Sequence, residues 1–123
     1  WLNEFNKVRL PYNIGSLAQA SAEFALEHQT VLDEQAANIR RDREKLFNEL
    51  LDLPVHVWPS AANFILFRPE RKSAAVVFTA LKEQKVLIKN LDGSHPMLAG
   101  CLRVTVGAPE ENARFLDALK QAI

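Results

Sequence analysis

Apolar positions recur at helical spacing through the first part of the chain. An alanine-rich stretch predicts a largely buried helix that begins at Ser16 and ends near His28. The motif Ser16-x-x-Gln19 predicts that a capping box opens this helix, because both side chains can then bind free backbone amides. A mixed-charge segment with an apolar stripe predicts a second, longer helix from Thr30 to about Leu51. Residues Trp1–Val8 are also expected to be the tail of a helix, so these two helices follow it before the first strand.

From residue 55 onward the apolar residues alternate or run in short blocks, which is typical of β-strands. A helix capped by Ser73 is predicted between the second and third strands, and another begins at Pro109. The fold class is therefore α/β (α+β), with two helices followed by the order β-β-α-β-β-α. The simplest packing is a small, mostly antiparallel sheet with helices on one face. The predicted strands are Val55–Trp58, Ala62–Arg68, Val86–Asn90 and Cys101–Val106.

Composition narrows the classes of partner. The chain of 123 residues is long enough for one core, and 48% hydrophobic residues is ordinary for a globular protein. Lys and Arg number 15 and balance 15 Asp and Glu, so no net field attracts nucleic acid or an anionic membrane. The single cysteine excludes an internal disulfide and is typical of a reducing compartment. Composition therefore gives no indication of a nucleic-acid or membrane partner.

The segment Gly100–Gly107 is an apolar strand with one arginine in its middle. Alternation places Leu102 and its like-facing neighbours against helices, and places Arg103 with Cys101 and Thr105 on the opposite face, toward a cleft or another domain. A guanidinium on a buried strand is costly unless an anion meets it, and its planar fork suits a carboxylate or phosphate. Two hypotheses follow. Arg103 binds an anion from outside the chain, or it forms a structural ion pair with one of the chain's own acids.

Two further polar residues lie in apolar strands. Lys89 stands within a predicted strand, so Lys89 and Arg103 on neighbouring strands would form a two-cation pocket for a substrate with two anionic ends. The alternative is an edge-strand lysine that prevents aggregation. Asn63 stands at the start of another strand, where an amide commonly satisfies backbone groups of a turn.

Other chemistry is less well supported by the sequence. The histidines His28, His56 and His95 have no metal-ligand spacing among themselves or with Cys101. Cys101 has no obvious activating partner and is expected to pack beside a strand end. The chain carries no phosphate-binding Walker loop, dinucleotide fingerprint or Ser-His-Asp arrangement.

Three segments together resemble the carboxyl-terminal third of histidinol-phosphate aminotransferases: Lys7–Ile14, Ala62–Arg68 and Gly100–Glu111. The resemblance runs over essentially the whole chain, and the Cys101–Gly107 block is its most specific part. It implies the small domain of a fold-type I enzyme, with residues 1–29 as the end of the large domain and the interdomain helix, and residues 30–123 as the small domain. Because the chain begins at Trp1 rather than Met, we expect it to be part of a longer protein.

The resemblance also implies an activity. Such a protein is a homodimeric, cytoplasmic enzyme that uses pyridoxal 5′-phosphate to exchange an amino group between L-histidinol phosphate plus 2-oxoglutarate and imidazole acetol phosphate plus L-glutamate. The lysine that forms the Schiff base belongs to the upstream domain, since no lysine here follows a serine as the family's lysine does. The chain alone is therefore expected to be inactive and not to bind the cofactor.

Residue roles follow from the same resemblance. It implies that Arg103 clamps the carboxylate of glutamate or 2-oxoglutarate and the phosphate of the other substrate. Lys89 falls where many members carry arginine and would assist with that anion. Tyr12 would line the substrate pocket, and Asn63 would shape it. Two alternatives stay open: another fold-type I aminotransferase that acts on aromatic or aliphatic amino acids, and a non-catalytic binding or assembly module.

Overall fold

The computed structural model describes residues 1–8 and 14–123. Within those ranges the chain forms α-helices, a single sheet and a short 3₁₀ helix at Pro96–Leu98. No helix in the described ranges is long and apolar enough to cross a membrane. The elements in chain order are α1 (Leu2–Val8), α2 (Ser16–Glu27), α3 (Gln29–Leu51), β1 (Val55–Trp58), β2 (Phe64–Pro69), α4 (Ala74–Glu83), β3 (Lys89–Asn90), β4 (Leu102–Thr105) and α5 (Pro109–Ala122).

The chain divides into two compact units, residues 1–35 and residues 36–123, with the division inside α3. In the first unit every described residue except the half-buried Ala25 is exposed, so the expected burial of α2 is wrong for the described residues. Large apolar side chains are among them, such as Leu17, which is 87% exposed. The first unit therefore has no core within its described residues. The domain boundary expected after residue 29 stays a prediction.

The start of α2 differs from the predicted capping box. Gly15 is the N-cap residue and no side chain caps the helix, because Ser16 is already its first helical residue. The Gln19 side-chain amide donates instead to the Glu23 carboxylate one turn later, at 3.0 Å. The helix predicted from Thr30 begins one residue earlier, at Gln29, and the starts predicted at Ser73 and Pro109 are confirmed. The Ser73 hydroxyl accepts from the Val76 amide at 3.4 Å, and α5 begins at Pro109.

The second unit contains a four-stranded sheet in the order β1-β2-β4-β3. All three strand pairs are antiparallel, which confirms the predicted fold class. Because β4 lies between β2 and β3, the two-residue β3 is an edge strand. The register sets Leu66 of β2 opposite Arg103 of β4, and Arg103 opposite Lys89 of β3.

The third strand is shorter than the sequence predicts. Residues 86–88 are outside the sheet, because a backbone amide at their start is hydrogen-bonded to the end of α4 instead of to a neighbouring strand. Lys85 has a left-handed backbone with φ of 61°, and the Val86 amide donates to the Leu81 carbonyl at 2.9 Å. That bond closes the helix and directs the chain away from β4. The second strand also shifts, beginning at Phe64 and ending at Pro69.

The core of the second unit lies on one face of the sheet. Phe67 of β2 is fully buried, and its ring lies 5.9 Å from that of Phe115 on α5. The carboxyl-terminal half of α3, together with α4 and α5, supplies the other side of this core. The opposite face of the sheet is therefore left for other contacts. The side chains buried to 1% exposure or less are Leu46, Leu50, Ile65, Phe67, Val77, Leu81, Cys101, Leu102 and Leu119.

Candidate functional site

The sheet face away from α4, α5 and the carboxyl-terminal half of α3 carries the candidate site, and we call it the open face. Cross-strand partners point to the same side of a sheet, so the register alone assigns its members. Each of them is half-buried or exposed, whereas the residues that alternate with them in β2 and β4 are buried in the core. The open face consists of His56, Trp58, Phe64, Leu66, Arg68, Lys89, Arg103 and Thr105.

Arg103 lies near the centre of the open face. Its guanidinium carbon is 4.8 Å from the centroid of the Phe64 ring, within the range of a cation–π contact. Its Nε atom is buried and has no hydrogen-bond partner among residues 1–8 and 14–123. The single salt bridge in those ranges joins Lys7 to Glu4, in the first unit. The hypothesis of a structural ion pair is therefore wrong for the described part of the chain, and Arg103 retains donors for an outside anion.

The structure brings Lys89 and Arg103 together, as the two-cation hypothesis predicts. The residues are direct cross-strand partners, so their side chains leave the sheet on the same side. Lys89 is exposed and stands on the edge strand, which also fits the protective role considered as an alternative. No carboxylate of the described residues forms an ion pair with either cation, and like charges side by side repel each other. The pair therefore attracts an anion strongly.

Asn63 lies at a distance from this pair. It precedes β2, and its backbone carbonyl accepts from the amide of Val106, three residues along the chain from Arg103. Its side chain is exposed, and Tyr12 lies outside the described residues. The structure therefore pairs Arg103 with Lys89 across β4 and β3, and it sets Asn63 before the start of β2, on the other side of β4.

Another side chain performs the turn function considered for Asn63. The Ser60 hydroxyl donates to the Phe64 carbonyl at 2.6 Å and accepts from the Ala62 amide at 3.1 Å. The polar groups of the β1–β2 connection are thus satisfied by a serine three residues earlier. That turn function therefore does not require the Asn63 side chain.

Arg68 belongs to the open face, although the sequence analysis does not single it out. Its guanidinium carbon lies 5.3 Å from the Trp58 ring centroid, and its Nη2 donates to the Cys101 sulfur at 3.4 Å. Its Nε, like that of Arg103, is buried without a partner among the described residues. The alternation of side chains along β2 could have identified Arg68. It lies on the same side of the strand as Leu66, two residues earlier, and Leu66 pairs with Arg103. Cys101 beneath it is fully buried, as expected for a packing role.

Four hollows of the second unit do not contain the arginines or the lysine of the open face, although Thr105 lines one of them; the one with the largest volume, about 480 Å³, lies beside α5. One of about 300 Å³ lies between residues 85–88, β4 and α5, and it is lined in part by Glu111 and Arg114. Two smaller ones, of about 170 and 150 Å³, border α3. None of these three includes Arg68, Lys89 or Arg103. The open face is therefore a surface that needs a second surface opposite it to enclose a small molecule.

Comparisons with known proteins place these features in context. The family model described as aminotransferase class I and II matches residues 1–119. A curated relative from Burkholderia lata, named histidinol-phosphate aminotransferase 1, is 54% identical over 100% of the chain and 34% of its own length. The chain thus spans about a third of the length of the curated relatives it matches.

Solved structures agree on the fold. The histidinol-phosphate aminotransferase of Clostridium acetobutylicum superimposes with a TM-score of 0.84 at 23% identity, over 97% of this chain and 36% of that one. A decarboxylase from Sulfurospirillum multivorans also gives 0.84, at 22% identity over 98% and 35%. An aminotransferase and a decarboxylase share this architecture, so the fold alone does not determine the reaction.

Proposed function

Because the chain belongs to the aminotransferase class I and II family, we propose that it forms the carboxyl-terminal part of a transaminase. The reaction interconverts L-histidinol phosphate plus 2-oxoglutarate and imidazole acetol phosphate plus L-glutamate. The structural observation that carries this proposal is the state of Arg103: its buried Nε lacks a partner among the described residues, and it lies on the sheet face away from the helices of the second unit. The substrate assignment is supported by the name of the Burkholderia lata relative, histidinol-phosphate aminotransferase 1.

In this proposal Arg103 and Lys89 hold the anionic end of each substrate. The guanidinium fork binds the carboxylate of glutamate or 2-oxoglutarate through two parallel N–H···O bonds. Histidinol phosphate has no α-carboxylate, so the same fork receives its phosphate in the other half-reaction. Lys89 adds a point charge beside that fork without its planar geometry. The stacking of Arg103 on Phe64 reduces the side-chain freedom that binding would otherwise remove.

The cofactor proposed for the full-length enzyme is pyridoxal 5′-phosphate, and the residues present here do not fit its attachment. Every lysine of the chain is exposed, including Lys89 on the edge strand. A Schiff-base lysine needs a desolvated or electrostatically tuned amine. We therefore assign the cofactor to residues outside this chain, and we expect the chain alone to be inactive.

Several finer assignments rest on the resemblance. The full-length enzyme is proposed to be a homodimer in the cytoplasm that acts on small molecules, with no nucleic-acid or membrane partner. Tyr12 is proposed to line the substrate pocket. Asn63, exposed at the end of β2, is proposed to shape the same pocket from the side opposite Lys89.

The first test measures substrate preference. The full-length enzyme, meaning a polypeptide in which this chain follows an upstream region of the length its relatives have, should transfer the amino group of L-histidinol phosphate to 2-oxoglutarate. We expect its kcat/KM for histidinol phosphate to exceed that for L-phenylalanine at least tenfold, because one well-placed charged contact supplies about that discrimination. A preference for phenylalanine would favour another aminotransferase of the family. No transfer from either donor would favour a non-catalytic module.

The second test concerns Lys89. Lys89→Arg in the full-length enzyme should leave kcat/KM for histidinol phosphate unchanged or raise it up to about threefold, because arginine keeps the charge and adds a fork. Steady-state kinetics with both substrates check this result, and Lys82→Arg on the exposed side of α4 is the matched control. A severe loss in Lys89→Arg alone would show that the compact ammonium has a specific role.

A further inference from the structure

Arg68 repeats, on the neighbouring strand, the features that mark Arg103. Both guanidinium groups stack on an aromatic ring of the open face, at 5.3 Å for Arg68 over Trp58 and 4.8 Å for Arg103 over Phe64. Both Nε atoms are buried and have no hydrogen-bond partner in the described ranges. They are the two side-chain atoms of this kind in those ranges. The open face therefore carries two guanidinium groups with these features, those of Arg68 and Arg103, rather than one.

The register sets the spacing of the two arginines. Continuing the β2–β4 pairing by one step beyond Phe67 and Leu102 places Arg68 opposite Cys101, two residues along the chain from Arg103. With a rise of about 3.4 Å per residue and about 4.8 Å between strands, their Cα atoms are roughly 8 Å apart. Two long side chains at that spacing can bind opposite ends of one small molecule.

The surroundings of Arg68 hold its position without neutralising it. The indole of Trp58 lies against the guanidinium, and the Cys101 sulfur accepts only one weak hydrogen bond, from Nη2. His56 is the cross-strand partner of Arg68, and its ring packs edge-on against Trp58 at 4.3 Å. No carboxylate of the described residues forms an ion pair with Arg68. A partly buried guanidinium in this state retains a strong preference for a carboxylate.

We propose that Arg68 is a second substrate-anion-binding residue, which holds the distal carboxylate of glutamate and 2-oxoglutarate while Arg103 and Lys89 hold the other end. The proposal rests on the transaminase function proposed above. A dicarboxylate has two anionic ends and engages both arginines. Histidinol phosphate has one anionic group, which the Arg103–Lys89 pair already receives, so Arg68 contributes little to that half-reaction. Arg68 thereby favours dicarboxylates over monocarboxylates as amino-group partners.

The test measures acceptor discrimination in the full-length enzyme. Arg68→Gln should raise KM for 2-oxoglutarate by roughly tenfold to a hundredfold, the usual effect of losing a charged hydrogen bond. KM for the monocarboxylate 2-oxobutyrate and for histidinol phosphate should change less than about twofold. Arg68→Lys keeps the cation and the apolar stem, and it should restore most of the preference for 2-oxoglutarate. Arg71→Gln removes the same charge from an exposed position after β2 and is the matched control.

Binding of glutarate, a dicarboxylate that cannot accept an amino group, separates this proposal from the proposed function. Calorimetric titration should show weaker glutarate binding to Arg68→Gln than to the wild type and to Arg71→Gln. Equal increases in KM for all three substrates, or unchanged glutarate binding, would overturn the role of Arg68. A wild-type enzyme that binds glutarate through Arg68 but transfers no amino group from histidinol phosphate would overturn the proposed function and leave the Arg68 site intact.

Discussion

Arg103→Ala in the full-length enzyme is expected to lower kcat/KM for 2-oxoglutarate by roughly 30- to 140-fold. The substitution removes a charge-assisted, two-pronged contact, which contributes about 2–3 kcal/mol to transition-state binding. Nothing in the described residues can replace it, because Lys89 offers only a point charge and Arg68 lies about 8 Å away by strand geometry. We expect kcat/KM for histidinol phosphate to fall by a similar factor, since its phosphate binds the same guanidinium fork.

The comparison with Arg103→Lys isolates the role of the fork. Lysine keeps the charge, so its loss should be intermediate, about tenfold. Arg71→Ala removes an exposed arginine from the loop after β2 and should leave the kinetics within about twofold of the wild type. Unchanged kcat/KM in Arg103→Ala would remove this residue from the site. Equal losses in Arg103→Ala and Arg71→Ala would indicate a general effect of net charge.

The second large effect concerns the core that supports the open face. Phe67→Ala should destabilise residues 1–123 by roughly 3–5 kcal/mol, because it removes a fully buried ring and leaves a cavity beside Phe115. Phe67 lies between Leu66 and Arg68, so a shift of β2 would also displace the open-face side chains. Urea unfolding followed by circular dichroism measures the change in free energy of unfolding.

The chain provides its own control for this measurement. Phe5→Ala is the same substitution at a position that is 65% exposed, and it should change stability by less than about 0.5 kcal/mol. Phe67→Leu leaves a smaller cavity and should cost roughly 1–2 kcal/mol, which keeps the comparison measurable if the alanine variant does not fold. Equal effects at Phe5 and Phe67 would contradict the position of the core.

Elements with strong local signals were predicted well. The strand Val55–Trp58, the cap at Ser73 and the start at Pro109 all depend on residues next to one another in the chain. The errors fall where a nearby alternative competes for the same backbone. The Val86 amide closes the end of α4 and does not extend β3. At the start of α2, Gly15 and not Ser16 is the N-cap residue.

The candidate site was predicted only in part, for a related reason. Alternation within one strand identified the outward side of Arg103, but it could not show whether an acid of this chain faces it. That answer required the positions of side chains distant in sequence. Arg68 was missed because its significance comes from being near Trp58 and Cys101, which are separated from it by 10 and 33 residues of chain.

The sequence by itself determined the order of elements, the α/β (α+β) class and the cation at the centre of the last strand, because each is encoded by short-range spacing of apolar, turn-forming and capping residues. Only the tertiary structure decided the strand order β1-β2-β4-β3, which places Lys89 and Arg103 side by side. It alone showed that both stacked arginines lack an acidic partner among the described residues. Strand order and charge pairing depend on long-range contacts, and the periodicity of a single strand carries no information about them.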